Sequence, residues 1–262
     1  MRPDHILKKL EPWLAKHRRP AWKPAVENGD GPQTVSKFSG MPWISAEDDW
    51  PGCGRCGQLL QLFLQLNLDE LPKELGQPFG TGLLQLFYCR RDECQGFGGW
   101  EPFADDLSRI RVVHPQGIGL KSSIPDRQGY FPAKRIIGWT PFIDLPKPCQ
   151  HEELGLRYTY NFKAGTVKIE CKELGLVLEE IDDGYLAEAI ANSELGDKLA
   201  GWPAWIQNVE YPHCPRCRRR MVHVFQVDSE DNVPFMFGDA GCGQITQCPE
   251  HKDVVAFGWS CH

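Results

Sequence analysis

The stretch that decides the fold runs from Trp50 to Cys94 and reads WPGCGRCGQLLQLFLQLNLDELPKELGQPFGTGLLQLFYCRRDEC. Its residues alternate over Leu60 to Leu68, with Leu60, Leu62, Leu64, Leu66 and Leu68 on one side and Gln61, Phe63, Gln65 and Asn67 on the other. A period of two over that length predicts a half-buried strand. Leu83 to Cys89 predicts a second strand, antiparallel to the first, which carries Cys89 back towards the Cys-x-x-Cys knuckle at Cys53 and Cys56. The two are separated by Leu71 to Phe79, whose prolines and Gly76 predict a loop or short helical turn. Two cysteine pairs about 30 to 35 residues apart, each beside a strand, form the layout of a four-thiolate zinc site. The predicted ligands are Cys53, Cys56, Cys89 and Cys94.

The same stretch recurs. At a shift of 161 residues, Lys37 to Asn67 falls on Lys198 to Asp228 without a gap: Gly40 on Gly201, Pro42 on Pro203, Cys53 on Cys214, Cys56 on Cys217 and Gln65 on Gln226. At a shift of 159, Gly82 matches Gly241, Gln85 matches Gln244, Cys89 matches Cys248 and Trp100 matches Trp259. Cys94 has no cysteine counterpart, and His251, three residues after Cys248, stands in its place. The second predicted zinc set is Cys214, Cys217, Cys248 and His251, with Cys261 and, more weakly, His213 as rivals to His251. A duplicated unit with two zinc-binding halves is the simplest reading. Four protein ligands close a tetrahedral site, so both ions are expected to be structural.

Around these halves the chain divides into an N-terminal helix and linker (1–36), a first repeat (37–113), an insert (114–197) and a second repeat (198–262). Asp4 is placed to cap an amphipathic helix that packs Ile6, Leu7, Leu10 and Leu14 on the body of the protein, with Pro12 kinking or restarting it. Pro20 to Gly40, rich in Pro, Gly and polar residues, predicts an extended linker or loop. Further strands are predicted at Ile110 to Val113, Ile136 to Trp139, Leu156 to Phe162, Thr166 to Glu170, Met221 to Val227, Gln244 to Cys248 and Val254 to Trp259. A helix capped at Asp182 and Asp183 is predicted through Tyr185, Leu186, Ala189 and Ile190, and Cys149 and Cys171 read as buried or half-buried thiols. The fold class is a β-rich α+β protein, two pseudo-repeated antiparallel sheet units with zinc knuckles packed as one globular body.

Composition narrows the function. No apolar run approaches the roughly 18 to 20 residues that a membrane span needs, and MRPDHILKKLEPWLAKHRRP has no apolar signal region, so a cytoplasmic protein is expected. Eleven cysteines in that setting favour metal over disulfides. A net charge of -6 gives no global attraction to nucleic acid. Arg216, Arg218, Arg219 and Arg220 around Cys217 are the local exception, readable either as a phosphate contact for RNA or a ribosome or as charges that offset thiolates. His114, His151 with Glu152 and Glu153, and Asp239 are the polar candidates for catalysis, but none lies in a nucleophile or phosphate-cradling motif. The matched amides Gln65, Gln226, Gln85 and Gln244 read first as buried structural hydrogen-bonders and second as groove-lining groups.

The frames SKFSGMPWI, WPGCGRCGQLLQLFLQLNLDELP and GLLQLFYC, with VFQVDS and FMFGDAGCGQITQCPEHKDVVAFGWSC, resemble the YwqG-like bacterial proteins, a family of unknown function. The resemblance spans Lys37 to Cys261; many of those relatives lack the cysteines, so the metal sites rest on spacing. The first cysteine set beside LFLQL is similar, more distantly, to the programmed cell death protein 2 group, whose members chaperone a ribosomal protein. That resemblance implies a binding role. The expected function is a non-catalytic, zinc-stabilised protein that binds a partner protein, in its specific form a client-holding chaperone. An enzyme acting on a small molecule between the repeats is the alternative, and an RNA- or ribosome-associated protein a further one.

Overall fold

The structure is a computed structural model that describes residues 3–95, 98–116, 119, 129–182 and 195–262. Its main feature is one sheet of ten strands: β1 (Arg19–Asn28), β2 (Lys37–Phe38), β3 (Gln61–Asn67), β4 (Leu83–Tyr88), β5 (Ser108–Val113), β6 (Lys134–Asp144), β10 (Lys198–Ala200), β11 (Val222–Asp228), β12 (Cys242–Gln247) and β13 (Val255–Ser260). The order is β13-β12-β11-β10-β1-β6-β2-β3-β4-β5. A second sheet, β7-β8-β9, comprises Leu156–Asn161, Thr166–Cys171 and Leu176–Asp182. The expected pair of sheet units is thus one continuous, curled sheet with a small one beside it.

The join between the two wings is β1 paired with β6. β1 belongs to the N-terminal segment yet pairs with β10, whereas β6 follows β5 yet pairs with β2. Pro20 to Asn28 is therefore strand, where the prolines predicted a linker. Successive N–H groups alternate sides along a strand, so Pro20 and Pro24 remove donors from one side only, and a bulge at Ala25/Val26 absorbs the irregularity. Beyond the join, β2-β3-β4-β5 and β10-β11-β12-β13 are antiparallel meanders.

The sheet curls until its edges meet. Trp259 Nε1 on β13 donates to Tyr88 Oη on β4 at 2.8 Å, and the backbone N–H groups of Phe257 and Trp259 donate to Pro102 and Gly99. Inside, Phe63, Tyr88, Phe131, Phe235 and Phe237 pack edge-to-face or tilted. β3 is consequently buried on both faces, not half-buried, and Phe63 is a core residue rather than an exposed binding side chain. Phe63 also sits at a bulge between Leu62 and Leu64, which turns the aromatic ring into the barrel-like interior.

Helix α1 (Pro3–His17) runs through Pro12 and begins one residue before Asp4. Ile6, Leu10, Trp13 and Leu14 pack on Leu156, Val167, Ile169, Leu178 and Ile181 of the small sheet. Trp13 joins the predicted face, while Leu7 is only partly covered. The small sheet gains β9, which the sequence reading did not find; the expected helix through Tyr185 to Ile190 lies outside the described residues. Two short helices, α2 (Asp92–Gln95) and α3 (Pro148–His151), complete the described elements besides 3-10 turns at Leu68–Glu70 and Lys73–Leu75. Among the described residues no helix is long and apolar enough to cross a membrane.

Candidate metal centres

Each knuckle is a tight turn entering β3 or β11. Cys53 N donates to Gln58 O at 2.7 Å and Gly57 N to Cys53 O at 2.9 Å; Cys214 N donates to Arg219 O at 2.9 Å and Arg218 N to Cys214 O at 2.8 Å. The turn needs a left-handed residue, which is Gly57 in the first knuckle (φ 69°) and Arg218 in the second (φ 62°). The return strands β4 and β12 then deliver Cys89 and Cys248 beside the knuckles.

All eight predicted ligands converge in two groups, and within each the ligand atoms lie within 4.8 Å of one another. In the first group Cys53 Sγ is 4.0 Å from Cys94 Sγ, and Cys56 Sγ is 3.8 Å from Cys89 Sγ. In the second, Cys217 Sγ is 3.6 Å from Cys248 Sγ, and His251 Nδ1 is 3.7 Å from both Cys214 Sγ and Cys248 Sγ. A tetrahedron with metal–sulfur bonds of about 2.3 Å has edges of about 3.8 Å, so both groups have the dimensions to hold a metal ion. His251 occupies the fourth position of the second group; Cys261 instead lies against Gly238, and His213 bridges to Arg220.

Electrostatics point the same way. Burial, with neighbouring cysteines adding to it, pushes the Cys94 thiol up to about 11, and burial likewise raises Cys89. Four sulfurs this close resist becoming thiolates together unless a cation neutralises them. At the second group burial opposes ionisation of Cys214, but the amides of Cys217 and Arg216, with Cys248 and His251, outweigh it and bring that thiol down to about 6. The N–H groups of Glu250 and His251 point at Cys248 Sγ (3.4 and 3.3 Å).

The remaining candidates are dispersed. Arg216 pairs with Asp253, Arg219 with Glu250 and Arg220 with Glu153, so three of the four knuckle arginines already face carboxylates. His114 and Asp239 are exposed. His151 is buried, its ring held by Tyr158 Oη and Pro146 O, and burial lowers it to about 4. Cys171 is buried, but Cys149 is exposed, against expectation. Gln65, Gln85 and Gln226 are buried hydrogen-bonders: Gln65 Oε1 accepts from Trp43 N and Gln226 Oε1 from Ala204 N, and Gln85 Nε2 donates to Gln65 Oε1 at 2.9 Å. Gln244 is buried too, with Nε2 on Cys242 Sγ.

Two ion pairs made by fully buried lysines were not expected from the sequence. Lys37 Nζ donates to Asp30 Oδ1 at 2.6 Å and Lys198 Nζ to Asp144 Oδ2 at 2.8 Å. The matched lysines were visible in the repeat, but their partners come from β6 and from the loop after β1, at unrelated sequence distances.

No curated protein matches the chain. A family model described as a domain of unknown function, DUF1963, matches residues 36–251, which takes in both knuckles and all eight candidate ligands. The chain belongs to the DUF1963 family.

Proposed function

We propose that this is a non-catalytic protein stabilised by two structural zinc ions, built from two copies of one unit (37–113 and 198–262) and acting by binding another protein. The observation that carries the reading is the closed ligand sets: each group supplies four protein donors at tetrahedral spacing and so leaves a metal no position for water or substrate. Duplication is supported by hydrogen bonds that recur at a shift of 161. Lys37 faces Gln65 and Lys198 faces Gln226; Asn67 N donates to Ser36 Oγ and Asp228 N to Asp197 Oδ1; bulges fall between Leu62 and Leu64 and between His223 and Phe225. The family is one of unknown function, and the binding role comes from the distant resemblance to the programmed cell death protein 2 group, with client holding as its specific form.

The surface to test lies on the join, where Trp22, Leu71, Trp139, Phe142 and Ile143 line an open apolar recess of about 680 Å³. Ile143 is 60% exposed there. Affinity purification from cells under native conditions, with wild type beside Ile143→Asp, reads the proposal directly. It expects one specific partner protein recovered with wild type and reduced with the variant. Recovery of no specific partner contradicts it.

A further inference from the structure

A second recess, of about 270 Å³, lies between β1, α3 and the second knuckle, and is lined by Arg19, Gln150, Trp202, Tyr211, Arg220 and His223 among others. Its floor carries unmet polar groups. His223 is 7% exposed and neither ring nitrogen has a hydrogen-bond partner; Gln150 Oε1, also buried, lacks one too. Buried polar atoms in folded proteins are nearly always paired, and these three unpaired ones belong to two side chains that line the same recess. Burial holds His223 well below its usual range, so the ring is neutral and offers one donor and one acceptor.

The mouth is cationic. Arg19 Cζ lies 3.3 Å from the Trp202 ring centroid and Arg220 Cζ 4.1 Å from that of Tyr211. Stacking on an aromatic face fixes each guanidinium plane and turns its N–H edge towards acceptors in fork geometry, and the Tyr211 hydroxyl takes up part of the Arg19 edge. Glu153 takes up part of the Arg220 edge, at 2.8 Å. Gln150 Nε2 holds Tyr211 Oη at 3.2 Å, which fixes the wall between the two cations.

The first half shows that the fold does not require these groups. At a shift of 161, Tyr211, Arg220 and His223 correspond to Trp50, Leu59 and Leu62. The backbone is the same: Gly52 bridges to Leu59 as His213 bridges to Arg220, and Leu60 N donates to Pro51 O as Met221 N donates to Pro212 O. There, Trp50 packs edge-on against Phe87 and Tyr130, and Tyr130 Oη caps Leu60 O at 3.1 Å. One frame is filled with apolar side chains; the other is lined with two arginines, a tyrosine and a histidine.

We infer that this second recess binds a small oxyanion, the phosphate or carboxylate group of a small molecule, gripped by Arg19 and Arg220 and completed by His223 and Gln150. The inference stands whether or not the chain also binds a protein. The test is thermal melting and isothermal titration of the full, metal-loaded chain with inorganic phosphate and, separately, with acetate, each against sodium chloride at matched ionic strength. Wild type is expected to show a saturable rise in melting temperature and a binding heat with at least one of the two anions and none with chloride. Phosphate alone assigns a phosphate-bearing ligand and acetate alone a carboxylate. Arg19→Gln and Arg220→Leu should each weaken that binding about tenfold or more, since each removes charged hydrogen bonds to the anion. His223→Leu, which copies the first half, should weaken binding while leaving the anion-free melting temperature unchanged or higher, which separates binding from folding. Absence of a saturable response to both anions overturns the inference, as does unchanged affinity in Arg19→Gln and Arg220→Leu.

Discussion

Removing Asp144 should damage this protein far more than removing Asp30, although each carboxylate meets a matched lysine. Lys198 and Asp144 are both fully buried and 2.8 Å apart. Asp144 Oδ2 also accepts from Trp202 N at 2.8 Å, and Oδ1 from Leu145 N at 3.1 Å. In Asp144→Ala a buried ammonium loses its counter-charge and a buried amide its acceptor. The first loss costs about 3–5 kcal/mol and the second about 1–3; the two overlap, because water reaching the vacated space serves both, so about 4 kcal/mol is expected. Asp30 makes the parallel contacts, to Lys37 Nζ at 2.6 Å and Met41 N at 2.7 Å, but its side chain is 37% exposed. Solvent screening there reduces the cost of Asp30→Ala to about 1–2 kcal/mol. Urea denaturation at pH 7 followed by tryptophan fluorescence measures both. Asp144→Ala combined with Lys198→Met should recover most of the loss, because the uncompensated charge is gone. An Asp144→Ala cost below about 1 kcal/mol, or equal costs for the two aspartates, would refute the reasoning.

Gly201 has φ +70°, and a Cβ there would lie 2.5 Å from Asp144 Oδ2 and 2.7 Å from Ala21 Cβ. Gly201→Ala should therefore lose more stability in the same assay than Gly165→Ala, where φ is +63° but nothing lies within 4 Å; equal losses would leave only the backbone penalty of about 1 kcal/mol in both. Asp197 is raised to about 7, first by burial and then by Asp231. Its folded form holds a proton that the unfolded form has lost above the usual carboxylate range, so its contribution is present below about pH 4 and disappears as pH rises to about 7. Stability of wild type relative to Asp197→Asn should fall between pH 4.5 and 7.5; a constant difference would contradict the assignment. In the second metal group Cys261→Ser should leave metal content unchanged and His251→Cys should retain it, whereas His251→Ala should lower it, as read by elemental analysis. Loss with Cys261→Ser would place that thiol in the site.

Local features were the legible ones. The alternation of Leu60 to Leu68 announced β3, and the spacing from Cys53 to Cys94 announced a four-ligand group, because a knuckle and the strand that returns to it are short-range objects. What sequence could not carry was which strands meet across long separations. Period two says that one face of β3 is apolar; it is silent on the Phe235 and Phe237 rings, from the far end of the chain, that cover the Phe63 bulge. Proline content concealed β1, since strands tolerate proline when the lost donors fall on one side. β9 was hidden by Glu179, Glu180 and Asp182, which belong to an exposed face of the small sheet rather than to a loop. The buried lysines were visible as matched letters, but not as ions, because Asp144 joins Lys198 only through the placement of β6 in the sheet. His223 falls on Leu62 at the shift of 161, but the Arg19 and Gln150 that line a recess with it come from distant parts of the chain.

The most direct test of the account is metal content per chain by elemental analysis, on protein purified without chelator, for wild type, Cys53→Ser and Cys248→Ser. The account predicts close to two zinc ions in wild type and the loss of one in each variant. One zinc or none in wild type, or loss of both ions in a variant that remains folded, would contradict two separate structural sites.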